Sequence, residues 1–348
     1  MALVEVRNLD IEYRTQKGPL KAVSDISFTL EEGERLGLVG ESGCGKTTLA
    51  KSLMRLLPDN GVVANGEIIF KGRDLVKLSD EEVRKLRWSE ISMIAQSAMN
   101  ALNPVYRVGA QIVEAIQAHT DMSDEDAMNR AAELFHLVGL ESMRLRDYPH
   151  QMSGGMKQRS IIAMALALNP SLVIADEPTT ALDVVVQDRI LNQIIQIQKE
   201  INSSMVFITH DISVVTETCN TIIVMYGGKM MEKSSTRNFF NQPYHPYTLG
   251  LQNAFPSILD IGEDLISIPG APPDLLNPPS GCRFNERCPF ATDKCREEDP
   301  GLREVAKEHL VSCHYPEKVE EFRELAKKRE TWDAVADRIA NEKAEVRG

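Results

Sequence analysis

The sequence predicts an α/β protein with a layered core and a largely parallel sheet, followed by a smaller irregular segment. Three observations carry this. Short apolar runs at Arg35–Val39, Leu172–Ala175 and Met205–Thr209 are bounded by turn or polar residues, as buried strands are. Longer stretches at Thr47–Leu57, Asp126–Val138, Lys157–Leu168 and Val186–Ile201 carry helical patterning. Strands separated by helices imply parallel pairing, with the helices covering the sheet. The irregular segment is announced by gathered prolines (Pro269, Pro272, Pro273, Pro278, Pro279) and by the cysteines that follow them.

Composition removes some functions before any motif is read. The 348 residues hold 39 Lys+Arg against 51 Asp+Glu, a formal net charge of −12. A protein held to nucleic acid mainly by phosphate contacts needs a basic surface, so that class is excluded. Nucleotide binding is not excluded, because one loop can hold a phosphate with backbone N–H groups. The most apolar stretch, Ile161–Ala175, is broken by Asn169 and Pro170 and falls short of the roughly 20 apolar residues of a spanning helix. The N-terminus has no basic-then-apolar layout, so the expectation is a cytosolic chain with reduced cysteines.

The first strand leads into Gly40-Glu41-Ser42-Gly43-Cys44-Gly45-Lys46-Thr47, with Thr48 next, and the helix opens there. This fits G-x-x-x-x-G-K-[ST] in the strand–loop–helix setting of a phosphate-binding P-loop. Its glycines let amides turn inward around phosphate oxygens, and the helix N-terminus adds its dipole. Lys46 is expected to reach the β/γ-phosphates of ATP, and Thr47 to ligate Mg²⁺. The competing reading, a chance glycine-rich turn, does not explain that setting. The second strand ends in Asp176-Glu177. Alone, such a pair often marks only a strand end. Beside a P-loop, Asp176 can hold Mg²⁺ and Glu177 can polarise an attacking water.

Met152-Ser153-Gly154-Gly155-Met156 opens the helix before the acidic strand. It resembles the signature of ABC-type ATPases, usually Leu-Ser-Gly-Gly-Gln. The resemblance implies a RecA-like core, an antiparallel β subdomain and a helical subdomain over about 97–168. It implies that Ser153, Gly154 and Gly155 face the γ-phosphate held by an opposite subunit. Further positions then take roles: Tyr13 stacks on adenine, Gln96 touches Mg²⁺ and water, Asp183 belongs to the D-loop, and His210 contacts the γ-phosphate. Singly each has a blander reading, such as a surface aromatic, a loop amide or a strand-end histidine. In sequence order together they are hard to explain otherwise.

Three further segments resemble the ATPases of dipeptide, oligopeptide and nickel importers: Ser97–Pro104, Asn241–Thr248 and Pro278–Phe284. The chain then divides into a nucleotide-binding domain (1–235), an oligopeptide-type extension (236–316) and an amphipathic C-terminal helix (317–348) that packs on its own protein or on a partner. The resemblance implies two transmembrane permease subunits in separate chains, which bind near the segment after Gln96. It also implies an extracytoplasmic solute-binding protein and a place on the cytoplasmic face of the membrane. Met156 cannot make the amide hydrogen bonds of the usual glutamine. In this family such a signature belongs to one of two different paired ATPases, so a heterodimer is expected. Importers of oligosaccharides or nickel, exporter or regulatory ATPases, and soluble ABC ATPases are the alternatives.

Four of the six cysteines crowd into Cys282-x5-Cys288-x6-Cys295-x17-Cys313. This is not the C-x2-C pair of zinc ribbons. Thiolate-only ligation suits Fe–S or Zn. Some peptide-importer ATPases carry a 4Fe–4S cluster in this extension, and that resemblance implies one here. His245 and His314 are read as structural. Because Cys282 lies far along the chain from every nucleotide motif, the cysteine site is expected to serve structure or assembly.

Overall fold

The computed structural model describes residues 1–95, 101–179, 184–254 and 266–347. Strands β1 (Ala2–Thr15), β2 (Gly18–Glu31), β3 (Arg35–Val39), β4 (Gly61–Phe70), β5 (Arg73–Asp74), β6 (Ile91–Ile94), β7 (Leu172–Asp176), β8 (Ser204–Ile208), β9 (Thr221–Tyr226), β10 (Lys229–Ser235), β11 (Arg303–Ala306) and β12 (His309–Val311) form two sheets among these residues. The smaller, β2-β1-β4-β5, is antiparallel. The larger runs β11-β12-β10-β9-β3-β8-β7-β6. Its stretch from β9 to β6 is parallel throughout, as the sequence pattern requires. Its other edge turns antiparallel, and β11 and β12 there come from the C-terminal extension.

Alternation along the parallel strands sorts their side chains into two cores. Leu36, Leu38, Leu172, Ile174, Val206 and Ile208 face the small sheet and pack with Leu9, Ile11, Ile26 and Leu30. Val39, Val173, Ala175, Met205 and Phe207 face the helices and pack with Ile112, Phe135, Ile162, Ile190 and Ile194. Burial on both faces explains why these strands read as continuous apolar runs.

The helices fall close to their predicted places, at Lys46–Leu53, Asp124–Leu137, Gly154–Ala165 and Val184–Ile201. Several start one or more residues early because a side chain caps them. Ser123 accepts from the Asp126 amide at 3.1 Å, and Ser153 from the Met156 amide at 3.3 Å. The C-terminal stretch is two helices rather than one, Val319–Ala326 and Arg329–Arg347, because the chain turns at Lys327-Lys328. It packs on its own protein: Trp332 and Val335 are buried, and Phe322 stacks on Phe290 at 4.1 Å between ring centroids. No described helix is long and apolar enough to cross a membrane.

Candidate nucleotide site

Strand β3 delivers the chain into the P-loop, and backbone conformation explains its glycines. Gly40 has φ +144° and packs so close to the Met225 carbonyl that a Cβ would lie 2.1 Å from it. Gly45, at φ +102°, is the N-cap of the helix Lys46–Leu53, and a Cβ there would meet the Ala22 carbonyl at 2.4 Å. Only glycine fits both places. Ser42 and Gly43 are exposed at the mouth of the loop. Lys46 is buried and folds back over the loop, donating to the carbonyls of Gly40 at 2.7 Å and Glu41 at 2.9 Å, with Cys44 Sγ 3.6 Å away.

Strand β7 ends beside this loop. Thr47 Oγ1 lies 3.4 Å from Asp176 Oδ1. Burial raises the Asp176 carboxyl above its ordinary value; the Thr47 bond works against this, and neighbouring Glu177 adds to it. A hydroxyl and a buried carboxylate oxygen at the mouth of a phosphate loop are hard donors of the kind that share Mg²⁺ with phosphates, so the residues fit that ion. Glu177 stands at φ +50°, a strained conformation for a side-chain residue, and its amide bonds the Ile208 carbonyl at 2.8 Å. That twist turns its carboxylate toward the end of β8, where Oε1 lies 3.1 Å from His210 Nδ1.

The structure therefore brings Lys46, Thr47, Asp176, Glu177 and His210 to one end of the parallel strands. Tyr13 joins them from β1, its hydroxyl 3.0 Å from Thr48 Oγ1 on the P-loop helix. Ser153 and Gly154 stay exposed at the head of their own helix, open to a second molecule. Gln96 and Asp183 lie outside the described residues. Gln158, one turn along the signature helix, donates to the Pro178 carbonyl at 2.5 Å and so ties that helix to the residues after Glu177. Sequence reasoning missed this link; a glutamine in a helix carries no signal for it.

The four late cysteines are all buried and line one cavity, with Phe284, His245 and His314 also in its wall. Burial pushes the Cys282 thiol up to about 12 and Cys313 up to about 11, and holds Cys288 well above the ordinary thiol value. The Cys313 sulfur accepts the Tyr315 backbone N–H at 3.5 Å. Among the described residues no group of three or more His, Cys, Asp or Glu side chains closes on a single metal ion. The thiols surround a space rather than converge on a point. His245 and His314 have other partners: His245 Nδ1 accepts from the Tyr247 amide at 3.0 Å, and His314 Nε2 lies 2.9 Å from the Glu298 carbonyl.

Sequence distance proves a poor guide to this segment. Arg287, inside the cysteine loop, pairs with Glu41 of the P-loop at 2.8 Å, although 246 residues separate them. Nothing in the sequence marked Arg287.

The ABC transporter family matches residues 23–180, and the oligopeptide/dipeptide transporter C-terminal region matches 231–295. A probable peptide ABC transporter ATP-binding protein of Sinorhizobium fredii is 45% identical, over 89% of this chain and 94% of its own. The dipeptide transport ATP-binding protein of Escherichia coli is 43% identical, over 91% of this chain and 97% of its own. Among solved structures, a dimeric ATP-binding cassette in a post-hydrolysis state with ADP and Pi superposes with a TM-score of 0.61 at 28% identity, over 67% of this chain and 99% of that one. With the P-loop, the acidic strand end and the extension in place, the chain belongs to the ATP-binding proteins of ABC transporters, in the branch that carries the oligopeptide/dipeptide C-terminal region.

Proposed function

We propose that this chain is the ATP-hydrolysing subunit of an importer that carries dipeptides or oligopeptides across the cytoplasmic membrane. The observation that carries the reading is the Glu177–His210 pair at 3.1 Å, set next to Thr47 and Asp176 at the end of the parallel strands. The names of the relatives supply the solute class.

In this reading the P-loop amides from Gly43 to Thr47 and the Lys46 ammonium hold the ATP phosphates. Thr47 and Asp176, with Gln96, would hold Mg²⁺, which would supply neutralisation of phosphate charge. The Glu177 carboxylate accepts a proton from the attacking water, and the His210 ring orients that carboxylate and meets the γ-phosphate. Tyr13 borders the adenine. Ser153, Gly154 and Gly155 close over the nucleotide of a second ATPase chain, with Asp183 at the same seam. The second chain is a different ATPase, since Met156 replaces the signature glutamine. ATP favours the closed pair and ADP does not, and that difference moves two permease subunits fed by a solute-binding protein. The chain works at the cytoplasmic face of the membrane.

The cysteine cavity is read as the seat of a 4Fe–4S cluster held by Cys282, Cys288, Cys295 and Cys313. The supports are four soft donors around one space and a backbone N–H donated to one of the sulfurs, Cys313. The cluster's part is to order the loop that its ligands span. Protein prepared without oxygen should be brown and hold iron and sulfide in equal amounts. Colourless protein with one zinc per chain would replace the cluster with zinc.

The reading is tested in the complex purified with its membrane subunits and reconstituted in vesicles. Peptide-loaded binding protein should stimulate ATP hydrolysis and drive peptide uptake. Hydrolysis that ignores peptides and responds to an oligosaccharide or to nickel would overturn the solute class.

A further inference from the structure

We propose that Arg287 and Tyr247 are positioning residues of the nucleotide site, through which the C-terminal extension holds the P-loop by its Glu41 and sets the affinity for ATP. Two arms reach this one residue. Arg287 Nη1 donates to Glu41 Oε2 at 2.8 Å, an ion pair whose side chains are 5% and 26% exposed. The Glu41 backbone N–H donates to the Tyr247 hydroxyl at 2.9 Å. The carbonyl of the same residue faces the other way and accepts from Lys46 Nζ at 2.9 Å. Glu41 is thus fixed at its amide and carboxylate by the extension, and presents its carbonyl to the lysine that meets the phosphates.

The Arg287 guanidinium is itself held on all sides. Nε donates to the Pro269 carbonyl at 2.7 Å, Nη2 to the Ile268 carbonyl at 3.2 Å, and Nη1 also to the Tyr226 hydroxyl at 3.2 Å. A planar fork pinned this way keeps one direction, which a flexible lysine would not. Phe284 forms the wall between the two sites. It lines the cysteine cavity, and its ring centroid lies 5.2 Å from those of both Tyr226 and Tyr247. Arg287 sits between Cys282 and Cys288, so whatever orders that loop also sets the arm that reaches Glu41. A phosphate loop binds well when its donors are already aimed, because aiming them at the moment of binding costs affinity. The established ATPase supplies the activity on which this rests; the cluster reading enters only as the agent that orders the loop.

The test is a double-mutant cycle on the full-length chain, with equilibrium binding of Mg-ATP measured well below the melting temperature. Arg287→Ala and Glu41→Ala should each weaken binding about three- to tenfold. The double variant should be no weaker than the weaker single, because both remove one contact. Tyr247→Phe, which deletes only the hydroxyl, should weaken binding about two- to fivefold. Arg287→Lys should restore part of the loss. Two results overturn the proposal: affinities within twofold of wild type, even if the variants melt early, or a double variant whose loss is the product of the singles. Iron content of the same preparations reads the cluster separately, so failure of that reading is distinguishable from failure of the tether.

Discussion

The two ends of the larger sheet are held together differently. Strands β3, β7 and β8 are buried almost throughout and lie between two apolar cores. At the other edge, β10 and β12 meet around Glu232, a carboxylate with no exposure. It accepts from the amides of Tyr244 and His245 at 2.9 Å each, and lies 2.6 Å from His309 Nε2. The extension has a second node of the same kind in Arg287 and Glu41. The nucleotide-binding body spreads its stability over many apolar contacts on both faces of its strands. The extension joins that apolar packing through Phe239, Tyr247, Phe284 and Trp332 and adds a few buried charged groups, where removing one partner strands the other in a dry interior.

This contrast can be broken or sharpened by substitution. The largest expected effect is chemical. Glu177→Gln keeps the side chain's shape and removes its charge; hydrolysis in the purified complex should fall about 10²- to 10⁴-fold while ATP still binds. Wild-type turnover in that variant would remove Glu177 from the mechanism. Next, Glu232→Ala should destabilise the extension by about 3–5 kcal/mol. Denaturant melts, with exchange rates at the Tyr244 and His245 amides, would show whether the loss stays local. Lys46→Ala should weaken ATP binding about 10- to 100-fold, and calorimetric titration of the full-length chain reads it directly. The smallest is Arg338→Ala. It removes bonds to the carbonyls of Glu286 at 3.0 Å and Cys288 at 3.2 Å. The expected cost is about 1–2 kcal/mol of extension stability, with turnover at saturating ATP unchanged.

The same contrast governs what the sequence disclosed. The P-loop was legible because its backbone leaves no choice at Gly40 and Gly45. The parallel strands were legible because burial on two faces demands unbroken apolar runs. Asp176 and Glu177 gained meaning only from the P-loop. In the extension, β11 shows a mostly exposed edge strand without clear alternation, which hides it. The turn at Lys327-Lys328 leaves the helical spacing of apolar residues intact, so two helices read as one. Arg287 carried no signal, since a contact across 246 residues has no local pattern. The chain distance from Cys282 to the nucleotide motifs, the ground for expecting a structural or assembly role, is not a distance in space, since Arg287 between Cys282 and Cys288 reaches Glu41.

The most direct measurement of the link between these regions is hydrogen exchange of the full-length chain with and without Mg-ATP. Coupling between two sites is reciprocal, so an extension that sets ATP affinity must itself respond to ATP. With Mg-ATP bound, exchange should slow at the amides of the P-loop and also over 245–250 and 282–288. Protection at the P-loop with those two extension segments unchanged would contradict that coupling.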